Sequence, residues 1–148
     1  MALGFAIAPI LFAGPPFEYA HLAGPIPRDG ALAWFGLALF GVGVAVQTLA
    51  MWALHGLYTV RLGMQPGHQL VKTGPYRLVR HPGYLGYFIC MIGIGLSLGS
   101  LIAFALTVYM MPLILWRMGR EEEMLLAEFG DEYRTYMRQT KRMIPLIY

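Results

Sequence analysis

The chain has 148 residues, 57% of them hydrophobic and only 13% charged, with a formal net charge of +3. A soluble domain averages about 45–50% apolar and about 25% charged residues, so this composition excludes an ordinary soluble globule and points to a membrane. The single cysteine, Cys90, excludes an intrachain disulfide framework and a cysteine-built zinc site, and the modest positive charge, carried beside apolar segments, suits anionic lipid headgroups rather than nucleic acid.

Residues 1–14 are apolar and uncharged. They lack the basic start of a secretory signal, so they are expected to belong to a first membrane helix. That helix would run toward His21, kinked at Pro15 and Pro16. Residues 24–30, Gly-Pro-Ile-Pro-Arg-Asp-Gly, read as a turn. Ala31 to Leu54 carries no charge and predicts a helix about 36 Å long at ~1.5 Å per residue. A hydrocarbon core of about 30 Å can be crossed by it with some tilt. Gly36, Gly41, Gly43 and Ala45 offer a small-residue face for close helix contact, and a homodimer through residues 36–45 is one use for it.

The stretch from His68 to Gly86 is polar, basic and shaped by Gly74-Pro75, His81-Pro82 and Pro82-Gly83 turn signals. Two apolar runs follow, Tyr84–Leu98 and Leu101–Trp116, separated only by Gly99 and Ser100. Each makes a helix of roughly 22–24 Å, short for a full crossing. They predict a helical hairpin with both ends on one side, packed closely enough to satisfy the backbone of its turn. From Arg117 the helix is expected to continue to Phe129, with Gly130 as its stop. Tyr133, Tyr136 and Met137 then share one face at i, i+3, i+4, with Arg134, Arg138, Lys141 and Arg142 nearby, which reads as a short interfacial amphipathic helix. Ten of the eleven Lys/Arg lie at or after Arg61, so the positive-inside rule places this side in the cytoplasm. The fold expected is an all-α integral membrane protein in a single domain. It has about four membrane helices, including the C-terminal hairpin, and the interfacial helix.

The residues alone leave the chemistry open. Arg80 and His81 could be snorkelling interfacial side chains, and Tyr76 and Tyr84 part of an aromatic belt. A metal site on His68 and His81 is not expected, because the loop has no H-x-x-x-H pair, cysteine cluster or acidic residue. Arg117 and Glu121 lie four apart and share a helix face. They read either as an ordinary ion pair worth a few tenths of a kcal/mol or as ligand-binding groups. Glu121, Glu122 and Glu123 point in different directions, so at least one must face the protein. A carboxylate there suits a cationic ligand or a ribose diol. An arginine one turn nearer the lipid suits an anionic group, gripped by two parallel hydrogen bonds.

The run Gly74-Pro-Tyr-Arg-Leu-Val-Arg-His-Pro-Gly-Tyr-Leu-Gly86, an apolar hairpin, Glu121-Glu122, Phe129-Gly-Asp-Glu-Tyr133 and Ile144-Pro145 together resemble the isoprenylcysteine carboxyl methyltransferase family of integral membrane enzymes. The resemblance covers residues 55–145. It implies S-adenosylmethionine (SAM) as cofactor, held on the cytosolic side. By match to the family pattern, the cofactor residues are His68, Gln69, Leu70 and Val71, then Tyr76, then His81, Pro82, Gly83 and Tyr84, then Glu121 with Glu122 as the alternative register. Arg117 matches the arginine implicated in binding the substrate and is taken as the catalytic residue. The chain then divides into membrane helices (1–54), a cofactor loop (55–83), the hairpin (84–116) and C-terminal cofactor and substrate helices (117–148). Eukaryotic members have more membrane helices before this region, so a smaller or differently built lipid-facing substrate path is expected here.

Methyl transfer from a sulfonium is an in-line displacement, for which alignment can supply about 7–11 kcal/mol of the barrier. Tyr76 and Tyr84 could enclose the adenine or the sulfonium, the latter by cation–π attraction. A carboxylate acceptor is already ionised at neutral pH, whereas an ammonium or thiol must first lose a proton, and the chain shows no dedicated base. The leading expectation is therefore methylation of a lipophilic acid such as the carboxyl of a prenylated cysteine, with Arg117 as its anchor. Phospholipid amine N-methylation, thiol S-methylation, a non-catalytic scaffold and, more distantly, an NADPH-linked reductase are the alternatives.

Overall fold

The computed structural model describes residues 30–54 and 70–145. Its regular elements are helical: α1 (Gly30–Ala53), a 3-10 turn (Gly74–Arg77), α2 (Pro82–Leu98) and α3 (Leu101–Gln139). An isolated parallel bridge joins Val79 to Lys141. The all-α expectation holds. α1 and α3 are long and apolar enough to cross a membrane, and α2, at 17 residues, is a shorter apolar helix. The described residues thus account for two candidate spans and a third shorter helix, not for four. The helix expected within residues 1–21 lies outside the described residues. On α1, Trp34 and Trp52 are 71% and 73% exposed. They stand roughly 27 Å apart along the axis at about 1.5 Å per residue, the spacing of two aromatic anchors across a hydrocarbon core.

Two compact units make up the chain, Met1–Gly43 with Phe88–Met111, and Val44–Tyr87 with Pro112–Tyr148. In the first unit the helices meet through glycine. A Cβ on Gly36 would stand 2.4 Å from the Ser97 nitrogen and 2.8 Å from the Gly93 carbonyl oxygen, and one on Gly93 would stand 2.5 Å from the Phe40 nitrogen. The backbones touch, as small residues permit where lipid supplies no hydrophobic drive between helices. Gly36 is therefore taken up inside the chain rather than left for a partner. Gly41 has nothing within 4 Å of its Cβ position.

The hairpin turn satisfies its own backbone. Gly99 adopts φ 58°, a left-handed conformation that suits glycine. Ser100 N–H donates to the Gly95 carbonyl (3.0 Å) and Gly99 N–H to the Leu96 carbonyl (3.2 Å). These are the two bonds of a Schellman motif closing α2. The buried Ser100 hydroxyl then accepts from Ala103 N–H at 3.2 Å and caps α3. A turn that leaves few orphan groups can sit in a poorly hydrated place.

In the second unit, α3 runs through Pro112 and breaks at Gly130 (φ 49°, ψ −120°), the stop expected from the sequence. The short helical stretch beyond it differs from the expected interfacial helix in what its aromatic face meets. Tyr133 and Tyr136 are only 1% and 4% exposed. Tyr136 donates its hydroxyl hydrogen to the Tyr76 carbonyl at 2.7 Å. Protein, not the bilayer, covers these tyrosines, because they pack where the motif loop needs a floor.

The glycine contact predicts that Gly36→Ala lowers the thermal stability of the detergent-solubilised protein by about 1–3 kcal/mol, the cost of overpacking. Gly41→Ala, made in open space on the same helix, should leave the melting temperature unchanged or raise it. Thermal unfolding of the two variants side by side checks this.

Candidate functional site

The second unit builds its site from the motif loop and α3. Pro75 is the second residue of the 3-10 turn, and Leu78 and Val79 N–H groups both donate to its carbonyl. The chain then runs beside the C-terminal segment. Arg80 N–H donates to the Lys141 carbonyl at 2.8 Å and His81 N–H to the Arg142 carbonyl at 2.9 Å. Pro82 follows as the first residue of α2, where a missing N–H costs nothing. His81 and Tyr84 fall one turn apart and their rings stand 5.8 Å from each other, tilted. On α3, Arg117 and Glu121 share a face at i, i+4.

These four residues converge. Arg117 Nε–H donates to the Tyr84 hydroxyl oxygen at 2.7 Å, and Tyr84 O–H donates to Glu121 Oε1 at 2.6 Å. Arg117 Nε also reaches Glu121 Oε1 at 3.1 Å. His81 Nδ1 lies 3.7 Å from Glu121 Oε2. The Arg117 and Glu121 side chains keep 33% and 24% exposure, so the group is accessible. It pairs a cation with a carboxylate across a phenol, just past the apolar run that ends at Trp116.

Glu122 has a different environment. Arg80 Nε–H donates to its Oε1 at 3.0 Å, His81 Nε2 lies 3.3 Å from the same oxygen, and Arg142 Nη2 lies 3.1 Å from Oε2. Arg80 also donates to the carbonyls of Met137 (3.1 Å) and Thr140 (2.6 Å), a cation satisfying the end of α3. Burial pushes the Glu122 carboxyl up in pKa, but the hydrogen bonds from His81 and Arg80 and the neighbouring charges outweigh it and hold the group down at about 2. Glu123 points outward and pairs with exposed Arg120. The three successive carboxylates thus face a ligand-accessible cluster, a buried ion group and solvent.

An open cleft of about 380 Å³ is lined by Arg80, Glu122, Met137, Thr140, Lys141 and Arg142. It lies against the Glu122 group and does not include Tyr84, Arg117 or Glu121. Its arginines are already committed to Glu122, and Arg80 also to carbonyl oxygens, so the accessible cluster is the better candidate for chemistry.

Of the residues singled out in the sequence, His81, Tyr84, Arg117 and Glu121 come together. Pro82 and Gly83 form the first turn of α2, and a Cβ on Gly83 would meet nothing within 4 Å. Tyr76 sits on the 3-10 turn, and Leu70 and Val71 are half-buried in the segment before it. His68 and Gln69 lie outside the described residues. Sequence reasoning missed Arg80 and Arg142 as the partners of Glu122. The signal was there: a buried carboxylate in a charge-poor chain needs cations, and the basic residues cluster at both ends of the region. Tyr133, the motif tyrosine, is buried beside this group, and its hydroxyl finds no hydrogen-bond partner among the described residues.

The family model for the isoprenylcysteine carboxyl methyltransferase (ICMT) family matches residues 35–128, more than half of the chain. The chain belongs to that family. Among ICMT-family relatives, the protein-S-isoprenylcysteine O-methyltransferase of Schizosaccharomyces pombe is 39% identical over 85 residues, covering 54% of this chain and 34% of that protein. The protein of the same name from Saccharomyces cerevisiae is 34% identical over 119 residues, covering 76% of this chain and 48% of that protein. The solved structure of the eukaryotic intramembrane Ras methyltransferase ICMT superposes with a TM-score of 0.83 at 28% identity, covering 99% of this chain and 54% of that one. This chain therefore spans between about a third and a half of the length of these ICMT proteins.

The ion group predicts a pH dependence. A carboxyl held below its ordinary pKa stabilises the fold above about pH 4.5, and that contribution is lost as pH falls toward about 2. Between those values the melting temperature of the wild-type protein should fall more steeply than that of Glu122→Gln, which starts lower at neutral pH. Equal slopes in a pH series of thermal melts would count against the assignment.

Proposed function

We propose that the chain is a SAM-dependent methyltransferase acting on a lipophilic, membrane-partitioned substrate, the carboxylate of a prenylated cysteine or a similar acid. The observation that carries this is the Arg117–Tyr84–Glu121 cluster at the end of the apolar run of α3. Family membership and the names of the relatives support the reaction class. The donor set fits the cofactor. SAM presents cationic groups and a ribose diol, and Glu121 is the accessible carboxylate of the pair, while Glu122 is saturated by three neighbours. His81, Pro82, Gly83 and Tyr84, with Tyr76 and the 68–71 segment, would enclose the rest, on the cytoplasmic side by the positive-inside rule.

When bound, SAM supplies a methyl group on a sulfonium, which a carboxylate takes up by in-line displacement with no proton to remove. Arg117 anchors and orients the acceptor carboxylate. Its guanidinium is aligned by Tyr84 and Glu121, so the grip is preorganised before the acid arrives. An ammonium acceptor would meet the same guanidinium as a like charge, which disfavours a phospholipid amine. The apolar segment before Arg117 gives the lipid tail of the substrate a place to stay in the bilayer while its polar end reaches the cluster.

Calorimetric titration of the detergent-purified protein with SAM, S-adenosylhomocysteine and NADPH tests the reading. One-site binding of SAM or its product, and none of NADPH, is expected. Glu121→Ala should weaken SAM by about tenfold or more, ~1.4 kcal/mol. Arg117→Ala should leave SAM binding near wild type and abolish most turnover of a prenylcysteine analogue. Because Tyr84 touches both groups, Tyr84→Phe should impair both cofactor binding and turnover. Folded protein that binds no SAM would overturn the proposal.

A further inference from the structure

Arg142 lies beyond the residues 35–128 matched to the family, yet it reaches back to the centre of the site. Its carbonyl accepts from His81 N–H at 2.9 Å. Its guanidinium holds Glu122 Oε2 at 3.1 Å, and the other oxygen of Glu122 lies 3.3 Å from His81 Nε2. The contacts close a ring: Arg142 backbone to His81 backbone, Arg142 side chain to Glu122, Glu122 to the His81 imidazole. The imidazole then spans two adjacent carboxylates, with Nε2 toward Glu122 and Nδ1 3.7 Å from Glu121.

We propose that Arg142 is a positioning residue for the cofactor site, acting through Glu122 and His81 to set the orientation of Glu121. The proposal rests on the reading of Glu121 as the cofactor-facing carboxylate. The physical argument is one of charge balance around a largely buried carboxylate. The Glu122 side chain is only 11% exposed. Without Arg142 its Oε2 loses its cation, so the carboxylate turns toward its remaining partners, Arg80 and His81. A stronger pull on Nε2 draws the imidazole away from Glu121, and the carboxylate shared with Tyr84 and Arg117 loses one of its walls. Because the Arg142 carbonyl is untouched by a side-chain substitution, Arg142→Met isolates the side-chain route from the backbone clasp.

The test uses the full chain in detergent as wild type, Arg142→Met, Arg142→Lys, Glu122→Gln and the double variant. It reads SAM affinity by calorimetry, KM for a prenylcysteine analogue, thermal stability, and the imidazole ¹⁵N signals of His81. Arg142→Met is expected to weaken SAM about tenfold, the scale on which a lost supporting contact loosens a site, with acceptor KM little changed. The His81 ring signals should move in Arg142→Met and return in Arg142→Lys, along with most of the SAM affinity. The double variant should bind SAM no worse than Glu122→Gln, because both substitutions cut the same chain of contacts. Wild-type SAM affinity and unmoved His81 signals in folded Arg142→Met would overturn the proposal and leave Arg142 a fold contact. If that variant does not fold, wild-type SAM affinity in Glu122→Gln overturns it equally. Failure of the wild-type protein to bind SAM would instead remove the functional reading itself, and this inference with it.

Discussion

A largely buried carboxylate governs the second unit. Taking an ionised group out of water costs several kcal/mol, so it persists only where cations and hydrogen bonds replace the lost hydration. Glu122 meets that condition with Arg80, His81 and Arg142. Two of these come from the motif loop and the third from the C-terminal segment, while Glu122 itself is on α3. One charge therefore ties together three parts of the chain that are far apart in sequence. The backbone contacts between 78–81 and 141–142 follow the same line. Such a group is weak evidence for high stability, since an apolar replacement of the same shape could be as stable. It is stronger evidence for specificity. An apolar cluster would tolerate rotation of the loop, whereas three directional contacts to two oxygens do not.

The first unit solves a different problem with different residues. A helix in lipid gains little from burying apolar side chains, so contact depends on close approach of the backbones. Gly36 and Gly93 give that approach, and the Gly99–Ser100 turn consumes its own donors and acceptors. Neither feature requires charge. This explains how the described helices of this unit hold together without ion pairs.

Much of this was legible in the sequence, and the reasons are physical. The uncharged run over α1, the Gly99-Ser100 break and the Gly130 stop are local signals, set by composition and by backbone conformations that glycine favours. Arg117 and Glu121 were legible because a helix fixes the geometry of an i, i+4 pair. What stayed hidden was non-local. Nothing near Glu122 in sequence says that Arg80 and Arg142 will close on it. The aromatic face of Tyr133 and Tyr136 looked like an interfacial helix because periodicity shows that a face is apolar, not what covers it. The glycine face of α1 carried the same ambiguity: Gly36 meets another helix of this chain, and Gly41 does not.

The order of the three glutamates then acquires a meaning. Successive helix positions are rotated by about 100° from one another, so three adjacent carboxylates cannot share one environment. Glu123 goes to solvent, where its pair with Arg120 is worth little. Glu122 goes inward and fixes the loop. Glu121, between the buried group and the apolar run, is held by Tyr84 and Arg117 without being enclosed. The fixed carboxylate and the accessible one are thus neighbours on a single rigid helix, with His81 touching both. An accessible carboxylate placed one residue from its structural anchor inherits the anchor's precision. Without such support from the buried cluster, Arg117 and Glu121 would remain the ordinary helix ion pair that their spacing alone suggests.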